Sequence, residues 1–405
     1  MLSAEFFIGN RARLVGLLEG DGIAVITANG LMQRSGDSAF KFRQENNFFY
    51  LTGIEEPNIV LVIDAKNGDE FLILPQQTEV ERFFGGGINR DEIAKISGVM
   101  TICSHVDGWN RFKKLQLGRK KIYTIPSLPT QLVRQERLFT SPARKLLIQK
   151  LKRLSALPHE PLHEQLIKLR MIKQPAEIKA IQGAVDITRA GIDQVRAKMA
   201  AGMYEYELEA ELDYAFKRAA SRHGFLPPIM AAGKNTTILH YQANRARLKK
   251  DDILLMDIGA EVANYSADIS RTYKVVGAFT EREQAVYDSV MSVHQATMKM
   301  LRPGLHWREL AVNVDTLMGE QLMKLGLISE NTRAAVRRYF PHAIGHSLGL
   351  DVHDACDYKI LQENMVITVE PGIYIPEEGI GIRVEDDVLI TQNGAKNLSA
   401  DIPYA

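Results

Sequence analysis

Cysteine is nearly missing from this chain of 405 residues: there are two, Cys103 and Cys356. That excludes the disulfide framework on which small secreted scaffolds rely. Charge of one sign is missing too, because 50 Lys and Arg stand against 49 Asp and Glu. A balanced surface has no global field to draw in nucleic acid or an anionic membrane, so neither is expected as a partner. No stretch approaches the roughly 20 apolar residues of a membrane helix, and the amino terminus lacks the apolar core of a signal peptide. A reducing cytoplasm is therefore the expected location. The chain also lacks a Gly-x-Ser-x-Gly nucleophile elbow, which argues against acyl-enzyme chemistry. Gly85-Gly86-Gly87 is followed by no Lys-Ser/Thr and has no GxGxxG spacing, so it reads as a flexible loop and not a phosphate cradle.

What is present is a soluble globular composition, 45% apolar and 24% charged, in a chain long enough for two domains. The first part reads as a small α/β domain. Residues 23–28, 59–64 and 70–74 are short β-rich runs, whereas 4–18 and 142–154 have helical spacing, with Ser141 before Pro142 suited to a helix start. Prolines at 158 and 161 break the pattern, which puts the boundary near residue 160 and gives domains 1–160 and 161–405. In the second part, Pro175 and Glu177 suit the first turn of a helix that continues through Ile181, Ala184, Ile187 and Ile192. A second helix is expected from Tyr204 or Glu205 to about Arg222, its early glutamates Glu205, Glu207, Glu209 and Glu211 forming a solvated face. Further helices fit 281–301 and 307–325.

The chemistry is concentrated between Leu254 and Glu385. Asp257 follows Ile-Leu-Leu-Met, Glu370 follows Val-Ile-Thr-Val, and Glu385 follows Ile-Gly-Ile-Arg-Val, so these acids are set into strand-like apolar runs. Removing one ion from water costs several kcal/mol, and four such costs would rival the about 5–15 kcal/mol that holds a domain together. Asp257, Asp268, Glu370 and Glu385 carry four negative charges, which two divalent cations would balance, with His346 as an imidazole ligand. Taken singly, each residue has an ordinary alternative: an Asp caps a turn, and a His packs in a core. Asp257 and Asp268, however, are spaced for two antiparallel strands and a short turn that set their carboxylates side by side.

This ordered Asp, Asp, His, Glu, Glu set resembles that of the metallopeptidases with the pita-bread fold, which include methionine aminopeptidase, proline dipeptidase and aminopeptidase P. The neighbouring words match as well: Ile-Leu-His240-Tyr, Asp268-Ile-Ser-Arg-Thr, His346-Ser-Leu-Gly-Leu-Asp-Val-His353-Asp, Glu370-Pro-Gly-Ile-Tyr and Arg383-Val-Glu385-Asp-Asp. The stretch Phe42 to Gly53 is similar to the amino-terminal domain of aminopeptidase P, which methionine aminopeptidase lacks; its apolar residues read as core. The resemblance implies an α/β (α+β) chain with a small amino-terminal α/β domain, concerned with oligomerisation and the substrate rim, before a carboxyl-terminal pita-bread catalytic domain.

By the same resemblance Asp257 binds one metal, His346 and Glu370 the other, and Asp268 and Glu385 bridge. Glu370 is also the implied proton shuttle between a metal-activated water and the leaving nitrogen. His240 and His353 match residues that contact the scissile carbonyl and the residue after the cleaved bond. His342 lines the pocket for that residue, and Arg383 orients a carboxylate ligand. The carboxylate-rich shell favours Mn²⁺, with Zn²⁺ and Co²⁺ as alternatives. The implied activity is removal of the first residue from peptides with proline second, with proline dipeptidase as the alternative and a metal-free binding protein of the same fold further off. Proline makes a tertiary amide with fixed φ and no N–H, so general peptidases lose a contact there. A homodimer or tetramer is implied. The interval from Glu370 to Glu385 is shorter than the insertion some aminopeptidases P carry there, which bears on the rim.

Overall fold

The computed structural model describes residues 2–126 and 140–405 and divides into two units, Met1–Leu169 and Arg170–Ala405. In the first unit the β-rich runs become strands Gly22–Thr27, Val60–Asp64 and Glu70–Ile73. Ile102–Cys103, Lys121–Thr124 and His159–Pro161 complete a six-stranded sheet. Gly22–Thr27 lies between Val60–Asp64, antiparallel, and Lys121–Thr124, parallel. It is buried throughout, so its sequence is a continuous apolar run without alternation. Ile23, Val25, Val62 and Phe71 pack with Trp109 and Phe112 of helix His105–Leu115 and with Leu147 and Leu151 of helix Ala143–Leu154.

Two local expectations change in this unit. Pro142, not Ser141, occupies the cap of helix Ala143–Leu154; the Ser141 hydroxyl accepts from the Ala143 N–H at 3.4 Å. Gly85, read as loop, ends helix Glu79–Gly85, which a Thr78–Glu81 capping box starts. The Phe42–Gly53 stretch behaves as core. Helix Asn46–Thr52 buries Phe48 to Thr52 and stops at Gly53, whose φ of 68° suits glycine.

The second unit runs through one order of elements twice. Helices Pro175–Lys198 and Glu205–Arg218 precede the antiparallel strands Ile229–Ala232, Ile253–Ile258 and Ile269–Lys274. Helices Glu281–Met300 and Trp307–Lys324 then precede strands Val366–Val369, Gly372–Ile375, Ile380–Arg383, Asp386–Thr391 and Gly394–Asn397. Glu177 does take the first turn of its helix, where its carboxylate accepts from the Gln174 N–H at 2.8 Å.

The helix that was to reach Arg222 ends at Arg218, because Ala220 turns into a left-handed conformation (φ 53°) and Arg222–His223 pairs with Ala260–Val262 instead. Nor are its early glutamates one solvated face: Glu205 is fully buried. Among the described residues no helix is long and apolar enough to cross a membrane, and Cys103 and Cys356 are free thiols.

Candidate metal centre

Strand pairing brings the acids together. Ile253–Ile258 runs antiparallel to Ile269–Lys274 with Asp257 opposite Ser270, so Asp257 and Asp268 come out near one end of the same ladder. The connection is longer than a tight turn. After Gly259 the chain makes a small hairpin of Ala260–Val262 and Tyr265–Ser266 before re-entering the sheet. Gly259 is required there, since a Cβ would sit 1.8 Å from the Ala267 carbonyl oxygen.

Glu385 joins from the second half of the unit. Its N–H donates to the Ser270 carbonyl at 3.0 Å, and its Oε2 accepts from the Ser270 hydroxyl at 2.7 Å. Glu370 and His346 enter from facing segments: the Glu370 N–H donates to the Ile344 carbonyl at 2.8 Å and the Thr368 N–H to the His346 carbonyl at 2.9 Å. One ligand atom each of Asp268, His346 and Glu385 lies within 4.8 Å of the others. His346 Nε2 is 3.3 Å from Asp268 Oδ2 and 3.6 Å from Glu370 Oε1. Its Nδ1 lies 3.2 Å from the Ser347 carbonyl, which as an acceptor selects the Nδ1–H tautomer and leaves the Nε2 lone pair facing the acids.

The electrostatics of this cluster are those of too many anions. Burial pushes the Asp268 carboxyl far above its ordinary range, and the charges of Asp257, Asp387 and Glu370 add to it. Glu385 is raised in the same way, by burial first and then by Asp268, Glu370 and Asp257, against which Arg383 pulls. Glu370 is raised by burial despite the opposing charges of His346 and Arg383. Asp257 Oδ1 is buried without a hydrogen-bond partner. Close-set, dehydrated carboxylates, an orphaned oxygen and a free imidazole lone pair form a donor set that fits divalent cations.

Around them runs a directional relay. Arg383 Nη2 donates to Asp257 Oδ2 at 2.7 Å, Nε to the Ser270 hydroxyl at 2.7 Å, and Nη1 to Tyr374 Oη at 3.0 Å. Burial opposes its charge, yet Tyr374, Asp257 and Glu385 hold it protonated. With Tyr374 Oη accepting from Arg383, its own proton points to His342 Nε2 at 2.9 Å, while His342 Nδ1 is 2.8 Å from the Ala343 carbonyl. Both His342 nitrogens are thus engaged. Burial and the nearby Arg383 lower its pKa to about 3.

His353 stacks edge-on against His346, ring centroids 4.1 Å apart, and burial followed by the charges of His346 and His240 lowers it to about 3. His240 is exposed, close enough for its charge to press on both His342 and His353. All nine residues singled out in the sequence therefore come together in this unit. Sequence reading missed Ser270, Thr368 and Tyr374. Ser270 and Tyr374 each lay inside a quoted motif, whereas Thr368, whose hydroxyl accepts from the His346 N–H at 3.0 Å, offered no signal beyond its strand.

Comparison with known proteins gives relatives over nearly the whole chain. Residues 179–392 match the metallopeptidase family M24, and residues 7–123 match the aminopeptidase P N-terminal domain. Xaa-Pro aminopeptidase of Escherichia coli K12 is 32% identical over 99% of this chain and 96% of its own length. The mitochondrial intermediate cleaving peptidase 55 of Arabidopsis thaliana is 30% identical over 98% of this chain and 80% of its own. The structure of E. coli aminopeptidase P with the inhibitor Pro-Leu superposes with a TM-score of 0.87 at 29% identity, covering 100% of this chain and 96% of that one.

Proposed function

The chain belongs to metallopeptidase family M24, and from that membership we propose that it is an Xaa-Pro aminopeptidase, a metal-dependent hydrolase that removes the first residue from peptides with proline in second position. The observation that carries this is the convergence of Asp268, His346 and Glu385 within 4.8 Å, flanked by Asp257 and Glu370 in a shell short of positive charge. Asp257, Asp268, His346, Glu370 and Glu385 would hold two divalent ions. When bound, such a pair polarises the scissile carbonyl and supplies hydroxide at neutral pH. The oxygen-rich shell favours Mn²⁺ over Zn²⁺ or Co²⁺.

The chain's own residues do the rest. Glu370, raised toward protonation, is suited to take the proton of the attacking water at a carboxylate oxygen and pass it to the leaving prolyl nitrogen. His353 is neutral and can donate an N–H, and together with exposed His240 it would contact the scissile carbonyl and the residue after the cleaved bond, stabilising charge in the tetrahedral intermediate. His342 has neither nitrogen free, so it offers proline an imidazole wall instead of a hydrogen bond. Arg383 fixes Asp257 and Tyr374 in one fork.

The test is hydrolysis of an Xaa-Pro dipeptide beside an Xaa-Pro-Xaa tripeptide, by metal-stripped enzyme and after adding Mn²⁺, with Glu370→Ala as control. Cleavage of the tripeptide's first bond supports the reading; dipeptide-only activity moves the assignment to proline dipeptidase. Retained activity in Glu370→Ala would sink the site assignment. The proposal extends to a homodimer or tetramer formed through the amino-terminal domain, which a monomer mass in light scattering would overturn, and to a cytoplasmic location, to be checked by fractionation.

A further inference from the structure

Glu205 is a fully buried carboxylate that the reaction as described does not use. It stands in the first turn of helix Glu205–Arg218, where the helix end favours its charge. Four donors saturate it. Its Oε1 accepts from the Ala232 N–H at 2.8 Å and the Asn235 amide at 3.1 Å; its Oε2 accepts from the Tyr241 hydroxyl at 2.7 Å and the Ala246 N–H at 2.8 Å.

These four donors span one segment, residues 232–246, and His240 lies in the middle of it. One turn further along the helix, Glu209 accepts from Asn244 of the same segment at 2.9 Å. On either side of His240, Leu239 and Tyr241 pack against the cluster of Ile229, Ala231, Leu255 and Tyr374, while His240 itself is exposed. The two ends of the segment and the immediate neighbour of His240 thus hang from a single carboxylate. A carboxylate has about four acceptor sites and no donor, so this one has no capacity left for solvent or substrate.

We propose that Glu205 is the positioning residue for His240: it fixes the 232–246 segment so that the imidazole is presented to the scissile peptide without contacting substrate itself. The proposal rests on the role given to His240 above. Glu205→Gln keeps the shape but turns an NH₂ group toward two of the donors, which splays the segment. A displacement of about 1 Å at a reacting group costs on the order of 100-fold in rate. Tyr241→Phe removes one of the four donors, keeps the apolar packing, and should give a smaller loss, roughly 10-fold.

Three readouts are taken on full-length enzyme: kcat for an Xaa-Pro-Xaa tripeptide, Mn²⁺ affinity by calorimetry, and the ring resonance of His240 in histidine-labelled protein, assigned by its loss in His240→Ala. The expected result in Glu205→Gln and Tyr241→Phe is a fall in kcat and a shifted His240 signal at parental Mn²⁺ affinity. A purely structural role for Glu205 would weaken Mn²⁺ binding together with kcat; that outcome, or an unmoved His240 signal, overturns the proposal. If Glu205→Gln does not fold, Tyr241→Phe decides alone. Parental kcat in His240→Ala would refute the role of His240, while the resonance still reports whether Glu205 holds it.

Discussion

Gly345→Ala asks how closely the backbone sets the position of His346. A Cβ at residue 345 would lie 2.0 Å from the Thr368 carbonyl oxygen and 2.8 Å from its carbon. A strand carbonyl cannot swing aside as a long side chain can. Ordinary contact begins at 3.4 Å, so about 1.4 Å must be made up by moving the 344–346 segment away from strand Val366–Val369. That movement breaks the two bonds that tether His346: Thr368 N–H to its carbonyl at 2.9 Å, and its own N–H to the Thr368 hydroxyl at 3.0 Å. Each is worth about 1 kcal/mol, and overpacking adds about 1–3 kcal/mol. The cost of roughly 3–5 kcal/mol falls at or below the low end of the usual 5–15 kcal/mol stability, so the variant should still fold. Its imidazole, however, is displaced by about 1 Å, for which a 10–100-fold loss of Mn²⁺ affinity is expected. Calorimetric titration of the metal-stripped protein reads the affinity, and urea unfolding reads the stability. Gly183→Ala is the control: it lies inside helix Pro175–Lys198 with its nearest neighbour, Val262, at 3.6 Å, and should gain about 0.5–1 kcal/mol. Parental Mn²⁺ affinity in a folded Gly345→Ala protein would refute the reasoning.

Other substitutions address the surroundings. Arg383→Lys cannot reach Asp257, Ser270 and Tyr374 at once, so kcat should drop about 10–100-fold in the tripeptide assay. Asp386→Asn leaves Arg271, 1% exposed, without its counter-charge and should cost about 3–5 kcal/mol in urea unfolding. Chelation should lower the melting temperature, and Mn²⁺ at about 100 times its Kd should restore about 2.7 kcal/mol; equal melting curves with and without metal would count against a metal site. Asp64 supplies the pH test. Burial raises its pKa, but the Arg119 fork at 2.8 Å together with the Lys66 N–H at 3.2 Å and both cationic charges outweigh that and leave it below the usual aspartate value. A depressed folded pKa contributes stability above the unfolded value of about 3.9 and loses it as pH falls through the folded one. Arg119→Gln should therefore destabilise at pH 7 and match the parent at the acid end of an unfolding series.

Asp257, Glu370 and Glu385 were legible in the sequence because each follows an apolar run where an uncompensated charge is costly, whereas Asp268 and His346 stood out only through the ordered set and its resemblance to a known family. The strands themselves were legible as those apolar runs. Glu205 was not. In the sequence it is one of four alternating glutamates at a helix start, and the helix dipole accounts for all four equally well. Only the fold separates it from Glu207, through donors up to 41 residues distant that no local pattern reveals. The end of that helix was misread because nothing local marks Ala220 as the residue that turns left-handed; the pairing of Arg222–His223 with Ala260–Val262 demands it.

The run Glu385-Asp386-Asp387 shows how one acidic word divides between two opposite environments. Along an extended backbone successive side chains point to opposite sides. Glu385 accordingly meets Ser270, and Asp387 accepts from the Asp268 N–H at 3.2 Å; burial pushes both carboxyls far above their ordinary range. Asp386 points the other way, to Arg271 at 2.7 Å, His294 at 3.0 Å and the Tyr404 hydroxyl at 2.6 Å, where these partners overcome its burial and hold it far below that range. The neighbouring strand repeats the alternation in step: Ser270 serves Glu385, and Arg271 serves Asp386. Arg271 Nη1 also donates to the Glu385 carbonyl at 2.6 Å, so the closed ion pair on one side grips the backbone of the residue whose carboxylate joins Asp268 and His346 on the other. One face crowds carboxylates that Arg383 offsets only in part, while on the other Arg271 pairs with Asp386 and holds the Glu385 backbone, and a one-residue slip of register would exchange the two.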